Sequence, residues 1–458
     1  MEIYSQIVSN SEKYTKNLII IAVLITIGVI LIHNLKGDKK SKFIKTTLPF
    51  IRPPKGKIVF GKDSFHRLTY ASSKEGNICL IGSTGSGKTS SVLIPTLKNM
   101  KQDNNNFFAI DISSDIEPNI QIENKLVYEP DGENSNPYNV FHRIDQLYEN
   151  GKINEVNEEL EKIAYILIPQ IQNADSSSLY FSSGARSILK GALIALYSPN
   201  TDFTDIVNVI VSNSYEELFK RILESNNPYG KAQISQFSGN NPTNIAGCYQ
   251  NLVEKLIVFN SPIIKKNLRR PTKEEIDIYP ERLEEYSIFL NIADNNLTVY
   301  QLIINLVCSQ VMEYCSQREL KKANQKEILL VLDEFSSLGR LLDIQDSVRK
   351  YRKRGCRLLI CVQSFFDIDI LYSSIVRKSL LNNFRYTVIL NSIDRETSES
   401  LADMIGHEQK QKTNGDWIIA PEDLASLDLE DKLILIYPGG HKLLKKNFFY
   451  KFWNNVYI

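Results

Sequence analysis

The stretch from Asn77 to Thr89, NICLIGSTGSGKT, constrains the fold of this chain more than any other. Asn77 to Ile81 is apolar enough for a buried strand. The next eight residues, Gly82, Ser83, Thr84, Gly85, Ser86, Gly87, Lys88 and Thr89, fill every fixed place of the G-x-x-x-x-G-K-[ST] polyphosphate loop. The glycines let successive N–H groups turn inward at the start of the following helix, where an anion is favoured. In such a loop Lys88 reaches the β- and γ-phosphates of ATP, Thr89 meets Mg²⁺, and Ser90 completes the nucleotide contacts. A Gly/Ser turn with a chance lysine would not need the strand before it and the helix after it that are predicted here.

Length and charge set the frame. The 458 residues suffice for one to three domains with well-buried cores, and 54 basic residues against 53 acidic ones leave a net charge of +1. A nucleic-acid partner would therefore be met by a local basic surface and not by a global field. The six cysteines, Cys79, Cys248, Cys308, Cys315, Cys356 and Cys361, form no C-x-x-C pair and have no histidines at zinc spacing. They read as reduced core residues of a chain whose bulk is cytoplasmic.

Leu18 to Ile32 is an unbroken apolar run, carried on to Leu35, close to the ~20 residues that span a bilayer. It reads as one membrane helix over about 18–35, with a cleaved signal peptide and a buried soluble helix as the other readings. Lys36, Lys39, Lys40, Lys42 and Lys45 follow it, so the positive-inside rule puts the C-terminal side in the cytoplasm of a single-pass cell-membrane protein. Lys42 to Phe65, with its prolines and glycines, reads as a linker and entry strand. After the loop, Ser90 to Leu97 is predicted helical, kinked or ended by Pro95. A short strand ends at Asp111 and another covers Leu126 to Tyr128. Residues 152–260 place apolar side chains at helical spacing with few strand signals, which suggests an all-helical insertion; ordinary crossover helices are the alternative. Strands return at Ser287, at Ile328 to Leu332, at Arg357 to Val362, near Tyr386 and near Leu435. This alternation predicts a mainly parallel sheet covered on both faces.

Asp333 and Glu334 follow the strand ILLVL, at the carboxyl end where open α/β sheets bind ligands. One carboxylate there can hold the Mg²⁺ shell and its neighbour can activate water for attack on the γ-phosphate. Gln363, ending the next strand, either contacts the γ-phosphate or attacking water or simply caps the strand. Arg340 and the run Arg349 to Arg354 read as cations at a helix C-terminus, as an arginine offered to a neighbouring subunit, or as a basic channel lining. The C-terminal HKLLKKNFFYKFW suits a surface strand with snorkelling lysines, a single-stranded nucleic acid or a membrane surface.

Taken together, IGSTGSGKTSSVLIPTL, VLDEFSSLGR, VQS, EPDGENSNPYNVF and YFSSGARSILKGALIALY resemble the type IV secretion coupling proteins, the TraG/TraD family of conjugative transfer ATPases. The likeness runs in order from about Gly61 to Tyr450. It implies a RecA-like P-loop NTPase sheet with an all-α insertion and a membrane anchor, assembled as a homo-hexamer. Such a ring delivers relaxase-bound single-stranded DNA to channel proteins with ATP hydrolysis. By motif position it assigns phosphate binding to Lys88, metal binding to Thr89 and Asp333, the base to Glu334 and the sensor to Gln363. Three departures stand out: one membrane helix where many members have two, Ile112-Ser113-Ser114 where a Pro-Lys-Gly turn is usual, and no extended C-terminal tail.

The expected organisation is a membrane anchor over 1–45, a nucleotide-binding domain split between 46–145 and 266–458, and a helical insertion over 146–265. An FtsK- or HerA-like motor on double-stranded DNA shares the fold. An ATP-binding receptor that recruits relaxase without pumping is the alternative of a different class.

Overall fold

The computed structural model describes residues 41–451 apart from 50, 73–75, 113, 171–174, 321–324, 342–343 and 408–416. The expected membrane helix at 18–35 lies outside the described residues. Among those described, no helix is long and apolar enough to cross a membrane.

One mixed sheet organises the chain. Its strands are β1 (Ile44–Thr46), β2 (Val59–Lys62), β3 (Leu68–Ala71), β4 (Asn77–Ile81), β5 (Asn106–Asp111), β6 (Lys125–Tyr128), β7 (Ser287–Asn291), β8 (Ile328–Leu332), β9 (Cys356–Val362), β10 (Phe384–Ile389), β11 (Lys432–Tyr437) and β12 (Gly440–Lys445). They lie in the order β1-β3-β2-β12-β11-β10-β4-β9-β8-β5-β7-β6. From β10 to β6 all pairings are parallel; from β10 through β11 to β1 they are antiparallel.

The central strands β4, β8 and β9 are buried at every position, which is why they read as continuous apolar runs. Their side chains still alternate between the two faces. Cys79, Ile81, Leu330, Leu332, Leu358 and Ile360 enter one core. Ile78, Leu80, Leu329, Val331, Leu359 and Cys361 enter the other. All six cysteines are free and buried, as their spacing suggested.

Between β6 and β7 the described chain is helical. Its longest helix, Ser176–Leu196, starts from Asp175, whose side chain accepts from Ser178 N at 2.9 Å. The helix Pro242–Leu256 packs so closely on it that a Cβ on Gly184 would sit 2.3 Å from Cys248 Sγ. A parallel bridge between Tyr138 and Ile278 ties the entry of this helical region to its exit.

Three readings need correction. Residues 42–65 are not a linker with one entry strand: β1 and β2, with β3, continue the sheet on its antiparallel side. These strands have only three or four residues each, too short for a two-residue alternation to show. Pro95 does not end its helix. Thr89–Leu93 is wound as a π-turn in which Ile94 N donates to Thr89 O, and the α-helix then runs from Ile94 to Lys101 with Pro95 in its first turn. Proline lacks the N–H that an α-turn would use, and a first-turn position does not require it. The C-terminal aromatic run is only partly a surface strand. It leaves the sheet after Lys445 and packs Phe448 and Phe449 against the phosphate loop, with Phe449 N donating to Ser90 O at 3.0 Å.

Candidate functional site

The loop is positioned by the strands on both sides of it. Gly82 N donates to Val362 O of β9 at 3.1 Å, and Leu390 N, just past β10, donates to Ile81 O at 2.8 Å. Gly85 and Gly87 have φ of +78° and +90°, so the turn uses a conformation that a side chain would strain. A Cβ on Gly87 would also come 3.1 Å from the Phe448 ring.

Asn391, buried at the end of β10, holds the loop through its amide: its Oδ1 accepts from Ser83 N and its Nδ2 donates to Ser83 Oγ, both at 2.7 Å. It was not among the residues singled out from the sequence. The available signal was a polar residue directly after a buried strand, the same signal that marks Gln363. Lys88 is buried to 7% exposure, and its Nζ donates to Gly82 O at 2.7 Å and Ser83 O at 3.1 Å.

β9 lies between β4 and β8, so the ends of these three neighbouring strands carry the loop, Gln363 and the acid pair side by side. Asp333 is buried, and burial pushes its carboxyl up to about 6; the Lys88 ammonium opposes that shift and Glu334 adds to it. Burial raises the Cys361 thiol, and the Asp333 charge adds to that shift. Glu334 sits at φ +53°, ψ +56°, a left-handed conformation rare for a side chain of this size. Such strain collects where a fold must aim a functional group. Gln363 Nε2 donates to Glu334 Oε1 at 2.7 Å.

Ser83, Thr84, Gly85, Gly87, Lys88, Thr89, Ser90, Asp333 and Glu334 line one cleft of about 460 Å³. Gly82 and Ser86 form the turn behind it: Gly82 O accepts from Lys88, and a Cβ on Gly82 would meet Ser86 Oγ at 2.5 Å. Ile94, Asp115, Asn119, Phe449 and Tyr450 complete the lining. Asp111, which carries no role by sequence, accepts from the backbone of Asp115, Ile116 and Glu117 and so shapes the turn that brings Asp115 and Asn119 to the cleft. The arrangement offers inward backbone donors, one ammonium and two carboxylates, a set that can hold a polyphosphate with a divalent cation and activate water beside it.

The basic run is elsewhere. Arg340 and Lys350 line a separate cavity with Lys162, Gln170 and Glu313. Arg354 Nη1 donates to Gln317 O at 3.0 Å and to Arg318 O, capping the end of the helix Leu297–Gln317. Arg349 bonds Asp346 and Ser379 weakly, each at 3.4 Å.

Comparison with known proteins agrees with this geometry. Residues 32–415 match the family described as type IV secretory system conjugative DNA transfer. The VirD4 protein of Agrobacterium fabrum is 23% identical over 287 residues, 58% of this chain and 42% of that protein. The VirD4 protein of Rhizobium rhizogenes is 22% identical over 278 residues, 56% of this chain and 41% of that protein. The chain thus spans about two fifths of the length of these curated relatives. Among solved structures, plasmid coupling protein TrwB in complex with ADP and Mg²⁺ superposes with a TM-score of 0.65 at 16% identity, over 81% of this chain and 85% of that one. TrwB with a non-hydrolysable ATP analogue gives the same values. The shared fold is that of an α/β P-loop NTPase. With the family match running from residue 32 to 415, this chain belongs to the conjugative DNA-transfer family of type IV secretory systems.

Proposed function

We propose that this chain is an ATPase, anchored in the cell membrane through residues 18–35 with its bulk in the cytoplasm. As a homo-hexamer it couples hydrolysis to the passage of relaxase-bound single-stranded DNA into a secretion channel. The observation that carries the reading is that Lys88, Asp333 and Glu334, far apart in sequence, line one cleft at the carboxyl ends of neighbouring strands. Membership of the conjugative DNA-transfer family supports the DNA-transfer part.

The residues fit an ATP–Mg²⁺ complex. Thr89 and the buried Asp333 bring hard oxygen donors to the cleft and would hold Mg²⁺ there, which would supply charge neutralisation to the bound polyphosphate. Lys88 exchanges its bonds to the Gly82 and Ser83 carbonyls for bonds to phosphate oxygens. Glu334 takes the proton of the attacking water, and Gln363 fixes the carboxylate that does so.

In the full chain, Lys88→Ala is expected to abolish both ATP hydrolysis and plasmid transfer while leaving relaxase recruitment intact. Transfer at the normal frequency would rule out a pump. Binding of a single-stranded oligonucleotide should weaken steeply with salt, as phosphate contacts require.

A further inference from the structure

The cleft has a second end that the phosphate chemistry does not use. Besides Thr89 and Ser90 its lining includes Ile94, Phe449 and Tyr450, together with Asp115 and Asn119. The two aromatic side chains come from the far end of the chain and are held in place by several contacts. The hairpin of β11 and β12 carries the backbone back to the loop, where Phe449 N donates to Ser90 O at 3.0 Å. Phe448 packs against Gly87, where an added Cβ would lie 3.1 Å from its ring, and so ties the segment to the loop. Lys98 Nζ stands 5.1 Å from the Phe449 ring centroid. Tyr450 is 57% exposed, its ring 5.4 Å from both Phe448 and Phe449, tilted to the first and at 80° to the second.

We propose that Phe449 and Tyr450 form an aromatic shelf that takes the base of the nucleotide whose triphosphate lies at Lys88. The inference rests on the nucleotide reading above and extends it to the base. An apolar, aromatic surface continuous with a phosphate loop suits a flat heterocycle, because every base has a π-face that stacks on an aromatic ring regardless of its hydrogen-bonding edge. The shelf therefore favours nucleotides as a class over bare polyphosphate. Asn119 Nδ2 donates to Asp115 O at 2.7 Å, which braces the turn on this side of the cleft.

The test compares Mg²⁺–ATP with Mg²⁺–tripolyphosphate, which keeps the phosphates and lacks the base, by calorimetric titration of the full chain. Phe449→Leu and Tyr450→Ala are measured beside the unmodified chain. The unmodified chain should bind ATP more tightly than tripolyphosphate. Each variant should lose on the order of tenfold in ATP affinity, the scale of one base–aromatic stack, with tripolyphosphate affinity unchanged. The tripolyphosphate arm also reports that the variant loop is still folded, and Phe449→Tyr should restore ATP binding. Equal affinity for the two ligands in the unmodified chain, or a parallel loss of both in the variants, overturns the shelf alone. Binding of neither ligand by the unmodified chain overturns the nucleotide reading, and the shelf with it.

Discussion

Gln363 and Glu334, at the ends of adjacent strands, are joined by a hydrogen bond of 2.7 Å from amide Nε2 to carboxylate Oε1. The bond selects one orientation of a carboxylate whose own backbone is already held at φ +53°. Around it, Phe335 stacks on Tyr372 with ring centroids 5.8 Å apart, and the Tyr372 hydroxyl accepts from Leu341 N at 2.8 Å. The segment after the acid pair is thereby packed against the helix that begins just after Gln363.

Glu334→Gln is expected to lower the ATPase kcat by roughly 10² to 10⁴, the range for removing a general base, with nucleotide affinity retained. Gln363→Ala removes one hydrogen bond to a charged group and should cost about tenfold or somewhat more in kcat. Steady-state hydrolysis together with nucleotide titration checks both. Equal losses in the two variants would mean that Gln363 does more than hold Glu334.

The left-handed backbone at Glu334 separates strain from chemistry. Glu334→Val places a β-branched residue where it is least tolerated and should destabilise the fold by at least ~1 kcal/mol, whereas Glu334→Gly should not. Both should lose hydrolysis. Thermal melts of the two variants decide the point.

Asp333 predicts a pH dependence without nucleotide or divalent cation. Its folded-state carboxyl lies at about 6 against an ordinary value of 3.8. The group thus favours the fold when protonated. That contribution is complete below the ordinary value and is lost as pH rises through about 6. Asp333→Asn stays neutral, so the variant should gain stability relative to the unmodified chain between pH 4 and pH 7, by up to about 3 kcal/mol. Melting curves across that range measure the difference; a difference that shrinks with rising pH contradicts the burial of this carboxyl.

Asn391→Ala leaves the Ser83 backbone and hydroxyl without their partner at the base of the loop. Loop geometry should suffer before the chemistry does. Nucleotide affinity is expected to fall about five- to tenfold, the scale of one or two buried hydrogen bonds, with a smaller change in kcat. The ratio of KM to kcat effects tests this, since a dominant kcat effect would place Asn391 among the groups that act on the reacting phosphate.

What the sequence by itself determined is local chemistry. A strand buried on both faces must be apolar throughout, and a tight anion loop needs glycines at positive φ, so NICLIGSTGSGKT and ILLVLDE announce strand, loop and acid pair without reference to anything else. The helical region between β6 and β7 was legible for the same reason, because a 3.6-residue period spans enough turns to be read. Strand neighbours are different. Backbone hydrogen bonds are alike for any pair of strands, so nothing within β9 says that it lies between β4 and β8, and only that order converts Gln363 from a polar strand end into the partner of Glu334. The tertiary structure likewise decided that Asn391 holds Ser83, and that Phe449 and Tyr450 line the same cleft as the phosphate loop. These are contacts between segments far apart in the chain, set by the packing of the whole sheet, and no local pattern of residues encodes them.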